Sequence, residues 1–305
     1  MSNILTISMP VINNTVRIIL REGESLGIIG ENMSGKSEVL QRIRYHKFGL
    51  TYRDVAPADF TKEEEDLFLQ EIGYSAGDMY LNPQDKVVDI LGRCAVAIEG
   101  IPDDVAKVFC IMPTQYDLKV KDVDYILLSK LTLIDTLSHN YKVIMIDDVF
   151  GYDYTLKRRL IPFLNKYRKD RGVTYLIATT DIVFASQLTE WTMVLYANRL
   201  VEYAQTKHLI LAPSHPYSKW LVNSTYMEEE REIPTFIRTA SDPIPPKDKC
   251  PFSAICPYAI DKCKTDSPVF ASYNATDWTA CHLVTTNQPP IKRSRRAISK
   301  KAKQK

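Results

Sequence analysis

The chain has 305 residues, 45% apolar and 25% charged, the composition of a folded globular protein of one large domain or two smaller ones. No run of about 18 apolar residues occurs, which excludes an integral membrane protein. The opening MSNILTISMP lacks the basic start and apolar core of a secretory leader, so the expected compartment is the cytoplasm. Formal charge is +2, but Lys292, Arg293, Arg295, Arg296, Lys300, Lys301, Lys303 and Lys305 form an acid-free tail, and removing those eight takes the body from +2 to −6. The tail, 288–305, reads as a solvated disordered end, with attraction to anionic lipid headgroups as the next reading. No aromatic residue interleaves its charges, so nucleic acid is not an expected partner.

In chain order, Val16 to Gly30 reads as two short strands with a turn at Arg21–Glu24, the second being the buried pattern Ser25–Ile29. A helix is expected from Lys36. The stretch from Gln41 to Leu81 is mixed, with the acidic run Glu63–Asp66 on an exposed helix. Asp124 to Leu137 places Ile126, Leu127, Leu131, Ile134 and Leu137 at helical spacing. Val143–Ile146 is a short apolar run before two acids, the pattern of a central parallel strand, and Val173–Ala178 and Thr192–Tyr196 repeat it. Strands alternating with helices predict an α/β fold around a parallel sheet. After Tyr226 prolines accumulate and four of the six cysteines appear, so 226–287 reads as a small appended module rather than more of the sheet.

Gly30, Glu31, Asn32, Met33, Ser34, Gly35, Lys36 and Ser37 match G-x-x-x-x-G-K-[ST]. Such a loop wraps backbone N–H groups around phosphates, its lysine reaches the β and γ oxygens, and its serine ligates Mg²⁺. The helix that follows, beginning Lys36, Ser37, Glu38, turns its positive N-terminus to the anion. The site also needs an acid at the end of a second strand, and Asp147, followed by Asp148, supplies it. ATP and Mg²⁺ are therefore the expected ligands, the metal held by Ser37 and, through water, by Asp147.

These residues resemble the ATP-binding subunit of an ABC transporter, more narrowly the oligopeptide/dipeptide importer group that includes the antimicrobial-peptide-uptake type. Besides GENMSGKS, the resemblance rests on Leu81-Asn82-Pro83, on the gapless stretch Thr174–Glu202 followed by His215-Pro216-Tyr217-Ser218, and on CPFSAICPYAIDKC with Ala280-Cys281-His282-Leu283. It spans about residues 16–285. It implies a P-loop NTPase with a RecA-like sheet core over 1–225, a helical subdomain at about 84–140, and the cysteine module. It also implies a position on the cytoplasmic face of the membrane, a second ABC ATPase subunit, two transmembrane permease subunits and a solute-binding protein. A surface near Ser75–Pro83, with Met79 and Tyr80, would receive a helix of the permease.

Several positions depart from that group's pattern. The signature loop that should read LSGGQ holds Val123–Leu127, or in a shifted register Leu128–Thr132, and neither has the two glycines. In the first register Asp124 places a carboxylate toward a partner's γ-phosphate, which is repulsive. The Q-loop glutamine falls on Ser75. The catalytic glutamate falls on Asp148, one methylene short, and the switch histidine on Thr180, which cannot stabilise γ-phosphate charge. No aromatic residue precedes Thr15 to stack on adenine. The binding half of the site is present and the chemical half eroded, so the chain should bind MgATP and hydrolyse it weakly, with Asp148 a poor substitute base. A heterodimer with a more complete ATPase follows. The competing reading is an ATP-binding regulatory or scaffold protein outside transport that has lost catalysis.

Cys250, Cys256, Cys263 and Cys281 are spaced C-x5-C-x6-C-x17-C. Cytosolic disulfides are not expected. Four thiolates suit Zn²⁺ or an iron–sulfur cluster, and plain buried thiols remain a third reading. The C-x2-C knuckles of zinc ribbons are absent. The resemblance implies a [4Fe–4S] cluster with a structural role. His282 is a possible ligand but more simply a neighbour. Cys94 and Cys110 read as core thiols, and Tyr74, Tyr80, Trp191, Tyr196 and Trp220 as packing residues.

Overall fold

The computed structural model describes residues 2–11, 14–45, 49–76, 81–148, 150, 153–226 and 248–284. The first third of the chain forms β1 (Asn3–Val11), β2 (Asn14–Arg21), β3 (Leu26–Ile29), α1 (Lys36–Arg44), β4 (Leu50–Tyr52), α2 (Lys62–Glu71) and β5 (Ile72–Ser75). The middle forms α3 (Val87–Ala97), α4 (Pro102–Val108), α5 (Tyr125–Leu137), β6 (Val143–Asp147), α6 (Tyr154–Arg171) and β7 (Thr174–Thr179). The last part forms α7 (Ile182–Ser186), β8 (Trp191–Tyr196), β9 (Arg199–Gln205), α8 (Thr206–Leu211), α9 (Pro216–Tyr226), α10 (Asp261–Thr265), β10 (Ala271–Ser272) and β11 (Trp278–Thr279).

Two sheets result. A three-stranded antiparallel sheet has the order β2-β1-β4, and an eight-stranded sheet the order β10-β11-β9-β8-β3-β7-β6-β5. The run β8-β3-β7-β6-β5 is parallel, as the sequence expects, and β9, β10 and β11 extend it antiparallel. The strand reading from sequence starts at Val16, whereas the structure adds β1, whose Leu5, Ile7 and Met9 point inward between Thr6 and Ser8. That alternation is the signature of a half-buried strand.

The central strands are near-continuous apolar runs because both faces of the sheet are covered. Along β6, Val143 and Met145 pack toward α1 and the three-stranded sheet, while Ile144 and Ile146 pack toward α3, α5 and α6. The acidic run 63–66 does lie on an exposed helix, α2. There Thr61 accepts from the Glu64 N–H while the Glu64 carboxylate accepts from the Thr61 N–H, a reciprocal cap that starts the helix.

Between β5 and β6 the chain builds α3, α4 and α5. Helix α5 is not the amphipathic stripe read from the sequence. Ser129, Lys130, Thr132 and Thr136 are buried along with Leu127, Leu131, Leu133 and Leu137, while Ile126 is exposed. The buried hydroxyls are satisfied within the helix: Ser129 donates to the Tyr125 carbonyl, Thr132 to Ser129 and Thr136 to Thr132.

The C-terminal segment also departs from its sequence reading. Instead of standing apart from the sheet, it adds β10 and β11 to it, with Trp278 opposite Tyr203 and Thr279 opposite Glu202. Its cysteine loop shares one core cluster with Ile29, Tyr196 and Tyr217. Among the described residues no helix is long and apolar enough to cross a membrane. The basic tail lies outside the described residues, as do Met79 and Tyr80.

Candidate functional site

The site lies where β3 and β6 end, with β7 between them. β3 is wholly buried and delivers the chain to Gly30, where a Cβ would collide with the Leu195 carbonyl and the Ser34 side chain. The loop then turns through two left-handed positions, Met33 at φ 63° and Gly35 at φ 98°. Glycine takes such a conformation without strain, whereas Met33 adopts it at a cost. The turn Ala197–Asn198 between β8 and β9 braces the loop from behind: the Asn198 N–H donates to the Ser34 carbonyl at 2.9 Å, and a side chain at Gly35 would strike Asn198.

Lys36, the first residue of α1, folds back into the loop. Its Nζ donates to the carbonyls of Gly30 and Glu31, both at 2.7 Å, and lies 3.4 Å from Ser34 Oγ. Burial pulls its pKa down to about 8, against the opposing pull of Asp147, Glu31 and Asp148. Ser37 Oγ donates to Asp147 Oδ1 at 3.0 Å, and the Tyr74 hydroxyl reaches Asp147 Oδ2 at 3.5 Å. Burial raises the Asp147 pKa, while Ser37, Lys36 and Tyr74 hold it back. A hydroxyl and a carboxylate side by side at an exposed position are oxygen donors that fit Mg²⁺. Asn32 and Met33 face solvent, and Glu38 turns away to Arg42 at 2.7 Å. The structure therefore brings together the loop, Lys36, Ser37 and Asp147, and directs the side chain of Glu38 elsewhere.

Asp148 is directed away too. Its side chain is buried, with Oδ2 at 2.7 Å from Lys157 Nζ and accepting the Thr179 hydroxyl at 2.5 Å, while Oδ1 accepts the Phe150 N–H at 3.0 Å. Lys157, only 3% exposed, also pairs with Asp181 at 3.2 Å, and Asp181 caps α7 through the Phe184 N–H. Both oxygens of Asp148 are thus engaged by protein groups, Oδ2 by Lys157 and Thr179 and Oδ1 by the Phe150 N–H. Lys157 and Asp181 carry no motif and are invisible to sequence inspection; only their burial in one ion cluster identifies them.

At the remaining positions, Ser75 ends β5 and is buried, while Thr180 is exposed. The shifted signature register fails, because Ser129 to Thr132 are buried within α5 and cannot face a partner. The exposed start of α5 is Asp124–Ile126, with Tyr125 and Ile126 about as open as a free surface at 59% and 62%. The Asp124 carboxylate itself accepts the Leu127 N–H at 2.7 Å, filling the helix-end donor that an incoming phosphate would want.

Beside the phosphate loop, β9 and the start of α9 bring Glu202, to which the sequence pattern assigned no role, next to the His215–Ser218 run. Glu202 is fully buried and accepts the N–H groups of Ser214 and His215, each at 2.8 Å, and the Tyr273 hydroxyl at 3.1 Å. Burial raises its pKa. His215 is buried and burial pushes its pKa down to about 3; its Nδ1 accepts the Tyr217 N–H at 3.1 Å. The Tyr217 hydroxyl accepts the Glu31 N–H at 2.9 Å, tying this segment to the phosphate loop.

The four cysteines of 250–281 are free thiols. The Cys250 N–H donates to the Cys263 carbonyl at 3.2 Å. Burial, and then the neighbouring cysteines, push the Cys250 thiol up to about 11, and Cys256 and Cys281 shift the same way. Yet among the described residues no three His, Cys, Asp or Glu side chains are gathered closely enough to hold a metal ion. The donor chemistry suits a metal centre, but the loop does not present a closed ligand set. His282 bonds the Asp266 carbonyl through Nε2 at 3.0 Å. Cys94 is buried in the helical core, and Trp191 stacks on Tyr203 at 5.3 Å.

Residues 201–263 match the family model described as the oligopeptide/dipeptide transporter, C-terminal region. The chain is 23% identical over 311 residues to the dipeptide transport ATP-binding protein DppD of Caldanaerobacter subterraneus subsp. tengcongensis, covering 90% of this chain and 91% of that one. It is 24% identical over 286 residues to the oligopeptide transport ATP-binding protein OppD of Escherichia coli (strain K12), covering 84% and 83%. Among solved structures, cbiO1 from Clostridium perfringens, part of the ABC transporter complex cbiONQ, superposes with a TM-score of 0.52 at 19% identity over 68% of this chain and 91% of that one. The ATP-binding cassette MJ0796 gives a TM-score of 0.51 at 16% identity over 67% and 97%. The fold is that of an ABC ATPase domain.

Proposed function

We propose that this chain, an ABC-type ATP-binding subunit of the peptide-importer group, serves its transporter mainly by binding MgATP rather than by splitting it. The observation that carries the reading is the division within the site: Lys36, Ser37 and Asp147 converge at the end of the sheet, while Asp148 is locked to Lys157. Backbone N–H groups at the start of α1 would take the phosphates, and Lys36 would exchange its carbonyl partners for phosphate oxygens. Ser37, with Asp147 through water, would hold the Mg²⁺. Asp148 would contribute little to activating water, and the exposed Asp124–Ile126 would complete a partner's site poorly.

A second ATPase subunit with fuller catalytic residues, two permease subunits and a solute-binding protein for peptides complete the proposed assembly, with this chain peripheral on the cytoplasmic membrane face. Cys250, Cys256, Cys263 and Cys281 would hold a [4Fe–4S] cluster, or Zn²⁺, once deprotonated and drawn together; bound, such a group would cross-link the loop to the core rather than do redox chemistry. Affinity purification from detergent-solubilised membranes tests the assembly. It should recover polytopic proteins and a second ATPase, and purified chain alone should bind MgATP with negligible turnover. Vigorous hydrolysis by the chain alone would overturn the reading. Zinc without acid-labile sulfide in anaerobic preparations would remove the cluster.

A further inference from the structure

The peptide unit between Gly30 and Glu31 is held at both ends. Its carbonyl accepts from Lys36 Nζ at 2.7 Å and its N–H donates to the Tyr217 hydroxyl at 2.9 Å. Tyr217 is completely buried, and its ring is fixed by Tyr196 at 4.7 Å, Phe252 at 5.4 Å and Trp220 at 5.9 Å. Phe252 lies inside the cysteine loop, two residues after Cys250. It also meets Tyr196 edge-on at 5.2 Å, and Tyr196 leads directly into the Ala197–Asn198 turn that grips Ser34. Two short chains of contacts thus run from the cysteine loop to the phosphate loop, one through Tyr217 to Glu31 and one through Tyr196 and Asn198 to Ser34.

The two anchors of the Gly30–Glu31 peptide are not equivalent once a triphosphate arrives. Lys36 must then turn its donors to phosphate oxygens and release the carbonyl. The N–H bond to Tyr217 is left to hold the orientation of the peptide. Loss of the hydroxyl should therefore be felt more in the nucleotide-bound state than in the free one.

We propose that Tyr217 is a positioning residue for the triphosphate loop, and that through Phe252 it couples the cysteine loop to nucleotide binding, each biasing the other. The proposal rests on the reading that this chain binds MgATP. Such coupling is reciprocal: whatever loosens the cysteine loop weakens nucleotide binding, and nucleotide tightens the loop.

Calorimetric titration of the full chain with MgATP tests it, using wild type, Tyr217→Phe, Phe252→Leu and the double variant. Tyr217→Phe should weaken binding by about 5–10-fold, the loss of one buried hydrogen bond. The Tm without nucleotide should move by no more than about 2 °C. Phe252→Leu should weaken binding too, and the double variant should lose less than the product of the two single losses. Affinity of Tyr217→Phe within twofold of wild type would overturn the proposal. So would a Tm loss that accounts for the weaker binding, which would make the hydroxyl merely structural. Multiplying losses would remove the coupling through Phe252. Wild type that binds no MgATP would bring down the underlying reading, and the proposal with it.

Discussion

Replacing Lys157 by methionine isolates its buried ion pair with Asp148, the residue proposed to contribute little to activating water. The Lys157 ammonium and the Asp148 carboxylate are 2.7 Å apart with side chains only 3% and 2% exposed, so the pair belongs to the buried regime where solvent does not screen a lost partner. Without Lys157, Asp148 keeps, among the described residues, the Thr179 hydroxyl and the Phe150 N–H. Stranding one charge of a buried pair costs about 3–5 kcal/mol. Urea unfolding of Lys157→Met should show a loss of that size. Adding Asp148→Asn removes the stranded charge, so the double variant should recover at least half of it. Restoring the longer side chain with Asp148→Glu should leave turnover by the chain near its basal level, because Lys157 remains beside it. A Lys157→Met variant within about 1 kcal/mol of wild type, or losses in the double variant that simply add, would refute the reasoning.

Three further outcomes are expected. Lys36 has its pKa lowered to about 8 in the free protein, and bound phosphate favours its charged form; MgATP affinity should therefore fall as pH rises above about 8, with proton uptake on binding visible in titrations in two buffers. His215 is held neutral with its pKa pushed down from 6.5 to about 3 by burial, so the unfolded chain binds the extra proton below pH 6.5. Stability should thus drop by about 1.4 kcal/mol per pH unit between 6.5 and 3 on this account, and the pH dependence should flatten in His215→Asn if the side-chain oxygen still accepts from Tyr217. Gly35→Ala forces a Cβ onto a left-handed backbone beside Asn198; it should abolish measurable MgATP binding and cost about 1–3 kcal/mol of stability by chemical denaturation.

The parallel sheet and the phosphate loop were legible because they are written locally. Ser25–Ile29 and Val143–Ile146 are apolar runs ended by a glycine and by acids, and the loop needs its residues at fixed spacing. What escaped was written in distant pairs. Lys157 sits in the first turn of α6, where a basic residue usually faces water; nothing nearby announces that it is buried against Asp148 and Asp181. Helix α5 misled for a related reason: its serines and threonines satisfy themselves on their own backbone, so they can be buried where a simple stripe would place them outside. The cysteine segment looked separate because of its prolines, yet two-residue strands are too short to leave a periodic pattern and were found only by pairing, β11 with β9 and β10 with β11.

That pairing means the segment from Lys249 to Val284 cannot be trimmed away as an accessory. The Ala280 N–H and the Thr279 hydroxyl both donate to Val201, and Asp277 accepts the Gln205 N–H, so the outer rim of β9 is sealed along its length. A chain ending near Tyr226 would leave that rim bare, ready to recruit strands from other molecules, and would admit water to Glu202. Such a fragment should precipitate or oligomerise even though it retains every residue of the phosphate loop.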